Sequence, residues 1–124
     1  MSVLKHVYAI EYFVKDWQRA KSFYGETLGL PSLGAADEVG WAEFGDREQT
    51  HIALSLWQDA SKPMPVNGAV AIFSVDDTHA AVSELRARGV KCDDPIGVPG
   101  MVTYADFYDP EGNRLELAGP PPKA

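Results

Sequence analysis

The chain is poor in the features that commit a protein to an easily recognised class. It has one cysteine, Cys92, among its 124 residues, so no disulfide can close within it and its thiol fits a reducing compartment. No stretch approaches the ~18 consecutive apolar residues of a membrane span. The opening Met1-Ser2-Val3-Leu4-Lys5-His6 has no apolar centre of the kind an export signal needs. Lys and Arg number 11 against 18 Asp and Glu, giving a net charge of −7. The basic residues do not cluster, which argues against nucleic acid and anionic membranes as partners. A Gly-rich phosphate loop is lacking, and Ser55 and Ser74 have no His at a nucleophile's spacing. Cys92 precedes Asp93-Asp94, an acidic setting that raises a thiol pKa. A small, freely soluble, cytoplasmic protein is therefore expected. Its 45% apolar content is ordinary, and a chain this long buries about 65% of its unfolded surface in one domain.

What the chain does have is an internal repeat. Displaced by 61 positions, Val14 meets Val75, Asp16 meets Asp77, Ala20 meets Ala81 and Ser22 meets Ser83. Each segment is an apolar run, an Asp and a helical pattern, and Asp16 and Asp77 read as N-caps because a carboxylate accepts the free N–H groups of a first turn. The spacing predicts helix one from about Trp17 to Leu28, with Ala20, Phe23, Tyr24 and Leu28 on one face. Helix two is predicted from about Thr78 to Arg88, with Ala81, Val82 and Leu85 inward. Gly29 and Gly89 terminate them. Displaced by 63, Trp41-Ala42-Glu43-Phe44-Gly45-Asp46 meets Tyr104-Ala105-Asp106-Phe107-Tyr108-Asp109, and Ile52-Ala53-Leu54 meets Leu115-Glu116-Leu117. Each half thus ends in strand, turn and strand, and Asp109-Pro110-Glu111-Gly112-Asn113 holds the residues a tight turn needs. Only a small insertion separates the two displacements.

Several of these segments together resemble the vicinal oxygen chelate superfamily of glyoxalase I, extradiol dioxygenases and bleomycin-resistance proteins. The carriers are Val14-Lys15-Asp16, the run Phe23-Tyr24-Gly25-Glu26-Thr27-Leu28-Gly29-Leu30, Val75-Asp76-Asp77, and Asp109-Pro110-Glu111-Gly112-Asn113-Arg114-Leu115-Glu116-Leu117. The resemblance covers nearly the whole chain. It implies an α+β fold of two βαβββ modules whose curved mixed sheets surround a cup, with helices outside. Module one is expected at about 3–60, a linker at about 61–68, module two at about 69–118 and a flexible, polyproline-like tail at 119–124. In short members the cup is often built by two chains, so a homodimer is expected.

Strand alternation then assigns faces. Ile10, Tyr12 and Val14, Ile52, Leu54 and Leu56, Ala71, Phe73 and Val75, and Leu115 and Leu117 are the helix-facing series. Left for the cup are Ala9, Glu11 and Phe13; Trp41 and Glu43; His51, Ala53, Ser55 and Trp57; Val70, Ile72 and Ser74; Tyr104 and Asp106; and Arg114 and Glu116. Flat aromatic walls with a few polar groups are the usual make-up of a small-molecule site. The ligand-binding set is therefore Glu11, Phe13, Trp41, Glu43, His51, Ser55, Trp57, Tyr104, Asp106, Arg114 and Glu116. The competing reading is a merely solvated sheet face.

Metal-dependent relatives, by the same resemblance, place ligands at four symmetric positions on the first and last strands of each module. Seven residues before Asp16 and Asp77 stand Ala9 and Val70; the last-strand position is Glu116, and its repeat partner is Ala53. Three of the four lack donor atoms, and a single carboxylate does not hold a divalent ion. No metal and no other cofactor is expected. The alternative is a displaced divalent site using Glu116 with His51 and Glu11, serving a lyase, isomerase or dioxygenase; His6 and His79 are weaker ligands. Without a metal, Glu11, Glu43, Asp106 and Glu116 would crowd one cavity, where like charges raise at least one pKa and supply an acid or base, as His51 could near neutral pH. They would equally make an anionic cup for a cationic or aromatic ligand, with Phe13, Trp41, Trp57 and Tyr104 stacking. Arg114 is placed to neutralise Glu116. Gly97-Val98-Pro99-Gly100-Met101 reads as a flexible rim loop and candidate lid.

Overall fold

The computed structural model describes residues 6–66 and 68–123. They form two compact units that divide between Pro65 and Val66. The first contains β1 (Ala9–Val14), α1 (Trp17–Ser22) running into a π-helical turn (Phe23–Thr27), β2 (Ser32–Ala36), a 3-10 turn (Asp37–Val39), β3 (Trp41–Phe44) and β4 (His51–Leu56). The second contains β5 (Ala71–Ser74), α2 (Thr78–Ala87), β6 (Lys91–Cys92), β7 (Ile96–Val98), β8 (Val102–Tyr108) and β9 (Arg114–Gly119). The sheet orders are β1-β4-β3-β2 and β5-β9-β8-β6, with β7 also on β8. In each unit the first strand lies parallel to the last and the other pairs are antiparallel. The fold is α+β with two mixed sheets, as expected.

The repeat is carried down to single hydrogen bonds. Asp16 Oδ1 accepts from the Arg19 N–H at 3.2 Å, and Asp77 Oδ1 accepts from the Ala80 N–H at 3.1 Å. Asp46 Oδ1 accepts from the Glu48 N–H and Asp109 Oδ1 from the Glu111 N–H, each at 2.9 Å. The cross-strand rows correspond as well: Glu11, Ala53 and Glu43 lie abreast in the first sheet, and Ile72, Glu116 and Asp106 in the second.

Helix one departs from the simple expectation. Its α-helical part stops at Ser22 and the next five residues wind as a π-turn, closed by Leu28 N–H to Phe23 O at 2.8 Å. From Asp16 to Gly29 there is one residue more than from Asp77 to Gly89. A π-turn takes one extra residue per hydrogen-bonded ring, so it absorbs that residue without shifting the strands on either side. It also turns both Phe23 and Tyr24 inward, where Tyr24 meets the rings of Tyr12 and Phe44. In the second unit Val82 and Leu85 of α2 are buried beside β8 and β9, and Thr78 donates its hydroxyl to Thr103 O at 2.6 Å.

One expectation about a loop is corrected. Residues 97–101 are not a flexible rim loop: Ile96–Val98 is a strand of the sheet, and Met101 N–H returns to Val98 O at 3.0 Å to make a tight hairpin. Pro95, which has no N–H to donate, interrupts this edge into the two short strands β6 and β7. Gly119 pairs with Thr103, and Pro122 lies so close over Gly97 that an added Cβ there would stand 2.9 Å from Pro122 Cγ.

Candidate functional site

The polar face of each sheet is the one turned from its own helix. In the first unit Glu43 is its centre. It projects from β3 in the row with Glu11 and Ala53. Glu43 Oε2 accepts from Trp41 Nε1 at 2.9 Å, while Oε1 accepts from the Tyr8 hydroxyl at 2.7 Å and faces His51 Nε2 at 2.5 Å. His51 Nδ1 donates to the Gln49 carbonyl at 3.0 Å. The His51 side chain is completely buried, with the Tyr8 ring standing edge-on against it at 4.6 Å. Along the same face Phe13 and Trp57 pack edge to face at 5.2 Å. Glu11 is exposed, and Trp41, Phe13, Ser55 and Trp57 are half-buried.

These contacts set the charge of Glu43. Glu43 is not pushed up by neighbouring carboxylates: the Trp41 indole N–H, then the Tyr8 hydroxyl and His51, lower its pKa from 4.5 to about 2. The His51 side chain packs against the same carboxylate. Both of its ring nitrogens face oxygen atoms, and it has no solvent-exposed surface. A carboxylate held this low favours the folded state fully above pH 4.5, and that contribution is lost as the pH falls toward about 2. The stability difference between wild type and Glu43→Gln should therefore be constant above pH 5 and shrink by on the order of 2 kcal/mol by pH 2. Urea unfolding at several pH values measures it; a pH-independent difference would contradict the depressed pKa.

The second unit repeats the arrangement with other chemistry. Sixty-three residues after Glu43 and His51 stand Asp106 and Arg114, and Arg114 Nη1 donates to Asp106 Oδ2 at 3.3 Å. Arg114 thus bridges to Asp106 on the neighbouring strand, and its charge also acts on Glu116, as strand neighbours alone suggested. Glu116 lies opposite Asp106, and its pKa is raised by burial first and then by Asp106, with Arg114 opposing. A raised carboxylate is expected of at least one member of the acidic group, and Glu116 is one. Tyr104 and Ile96 share the next row, and Ile72 and Ile96 remain largely exposed. Cys92 is held above its usual thiol range by burial and then Asp93, against Arg86, which removes it as a nucleophile.

Sequence alternation missed Tyr8. Its parity points to the helix side, but it precedes β1 and so escapes the strand's alternation. A groove of about 450 Å3 beside α2, lined by Asp76 to His79, Thr103 and Pro120 to Lys123, looks like a competing site. Two of its polar groups have structural duties, since Asp77 caps α2 and the Thr78 hydroxyl bonds Thr103.

A divalent metal does not fit the residues present. The symmetric positions hold Ala9, Ala53, Val70 and Glu116, and the His51 nitrogens of the displaced alternative are engaged. Among the described residues no three His, Cys, Asp or Glu side chains are gathered to hold an ion. No helix among the described residues is long and apolar enough to cross a membrane.

Comparison with known proteins places these units in context. Residues 4–117 match the family model of the Glyoxalase/Bleomycin resistance protein/Dioxygenase superfamily. The crystal structure of TnmS3, an antibiotic binding protein from Streptomyces sp. CB03234, is 30% identical, with a TM-score of 0.79, over 97% of this chain and 99% of that one. A glyoxalase/bleomycin resistance protein from the same organism is also 30% identical, with a TM-score of 0.70, over 89% and 96%. The uncharacterized protein YaeR of Escherichia coli K12 is 31% identical over 92% of this chain and 95% of its own length.

Proposed function

Because this chain belongs to the glyoxalase/bleomycin resistance protein/dioxygenase superfamily, we propose that it binds a small planar organic molecule, preferentially a cation, on the aromatic and acidic faces of its sheets. The observation that carries this is Glu43: a carboxylate kept ionised, with the Trp41 and Tyr8 rings bonded to its two oxygens. Aromatic faces beside a fixed negative charge attract a flat cation through stacking and cation–π contact. The exposed Ile72 and Ile96 of the second sheet add apolar area of the kind that marks binding surfaces. The antibiotic-binding relative supports a small organic ligand. Binding rather than metal-assisted turnover follows from the donor-poor ligand positions. The reading further includes a cytoplasmic homodimer, for which sedimentation velocity is the check.

Three ring systems of one shape and different charge test it: 9-aminoacridine, acridine and 9-anthracenecarboxylate. Tryptophan quenching and calorimetry should rank the cation above the neutral ring by about tenfold, and the anion weakest. Absence of quenching by all three at millimolar concentration would overturn the proposal.

A further inference from the structure

We infer that Glu43 is the positioning residue of the first sheet's binding face, acting through Tyr8 and Trp41 rather than by touching the bound molecule. The inference rests on the ligand-binding reading above. An ionised carboxylate offers about four acceptor sites. Three are taken from within the chain, by groups on three different segments: the residue before β1, β3 itself and the start of β4. That leaves about one site open, so most of the carboxylate's acceptor capacity serves the chain's own groups.

What the three bonds accomplish is to fix two rings. Tyr8 is half exposed and lies outside any strand, so its own backbone does little to orient it. Its hydroxyl on Glu43 and its edge on the buried His51 ring set its position. Trp41 is held by its indole N–H two residues along the same strand. His51, wholly buried, braces the carboxylate from behind, and its far nitrogen is anchored on the Gln49 carbonyl. The second unit shows what the pair looks like without this task. Asp106 and Arg114 occupy the repeat positions at 3.3 Å, with the guanidinium largely exposed. The first half keeps an acid beside a basic residue, buries that residue's side chain and adds two aromatic donors. Rings ordered before the ligand arrives spare the ordering cost of binding.

The experiment uses the full chain, 15N-labelled, with 9-aminoacridine as probe. In Glu43→Gln the Trp41 indole N–H should exchange with water at least tenfold faster, and the probe's Kd should rise roughly tenfold, mainly through a faster off-rate. Tyr8→Phe should raise Kd in the wild-type background and add little in the Glu43→Gln background, because it acts through the same carboxylate. Glu11→Gln removes a charge from the same row. It should weaken the cation while leaving Trp41 exchange as in wild type. Equal losses in Glu43→Gln and Glu11→Gln with full additivity of Tyr8→Phe would mean that Glu43 contributes charge alone, and would overturn the inference. Faster exchange with an unchanged Kd would overturn it too. Loss of the functional reading shows separately, as wild type that binds none of the three ring probes. Should Glu43→Gln fail to fold, Tyr8→Phe/Trp41→Phe keeps the carboxylate and removes the two bonds; a tenfold rise in Kd supports the inference, and an unchanged Kd sinks it.

Discussion

Replacing Asp109 by alanine is expected to lower the unfolding free energy by about 3 kcal/mol, as a buried charged acceptor with several donors is lost at once. Asp109 is 5% exposed. Its Oδ1 accepts from the Glu111 and Asn113 N–H groups at 2.9 and 2.8 Å, and its Oδ2 accepts from Asn113 Nδ2 at 2.8 Å. Removal strands the Asn113 side chain, itself 1% exposed, without that partner. Asp109→Asn should fall between wild type and alanine, because an amide keeps one acceptor oxygen and sets an N–H₂ against the Asn113 amide. The repeat supplies an internal control. Asp46 makes the same bond to Glu48 but is exposed, and Asp46→Ala should cost under about 1 kcal/mol. Urea denaturation of the three variants decides it, and equal losses at 46 and 109 would refute the account. The consequence reaches the site, because this turn sets the β8–β9 register that puts Glu116 opposite Asp106.

Gly40→Ala should be comparably damaging, at about 3 kcal/mol, for two reasons that add. Gly40 closes the 3-10 turn at φ 69 and ψ 48, a left-handed conformation that strains a side chain by about 1 kcal/mol. An added Cβ would also lie 2.5 Å from Leu56 Cβ, forcing β4 away from the turn it is bonded to through Leu56 N–H and Gly40 O. Gly89 isolates the first effect. Its φ is 83 but nothing lies within 4 Å of an added Cβ, so Gly89→Ala should cost only about 1 kcal/mol. Thermal unfolding of both variants separates them, and similar losses would show that the contact at Leu56 relaxes freely. Because Leu56 leads directly into Trp57, Gly40→Ala should also disturb the Phe13–Trp57 pair and hence probe binding.

Much of the fold is legible in the linear chain because its signals are local. Asp16 and Asp77 cap helices because a carboxylate reaches its own N–H groups three residues on, whatever else surrounds it. The turn at 109–113 follows from its own Pro, Gly and Asn. Two-residue alternation puts Glu11, Trp41, Glu43, His51, Asp106 and Glu116 on one face of their sheets, and the cross-strand rows bear this parity out. By the family resemblance, counting back from the caps gives Ala9 and Val70 as ligand positions, and the repeat partner of Glu116 is Ala53, so three of the four lack donor atoms.

What a side chain does on that face is another matter. Glu11 and Glu43 share a row and a charge, yet only Glu43 stands among Tyr8, Trp41 and His51; which tips meet depends on strand register and rotamer, and both are set by packing over long sequence separations. The same holds for Arg114, whose partner is across the strand pair on Asp106, and for His51, an exposed-looking polar residue on paper that tertiary contact buries entirely. The π-turn at Phe23–Thr27 belongs with these: an extra residue can be seen by counting, but where it is absorbed is decided by the fit of Phe23 and Tyr24 to the sheet. Sequence alone determined the repeated αβ framework, its caps and the donor-poor ligand positions, since each rests on residues within a turn of one another. Only the tertiary structure decided which acid is held ionised and which rings it orients, since those choices rest on contacts that exist once the strands have paired.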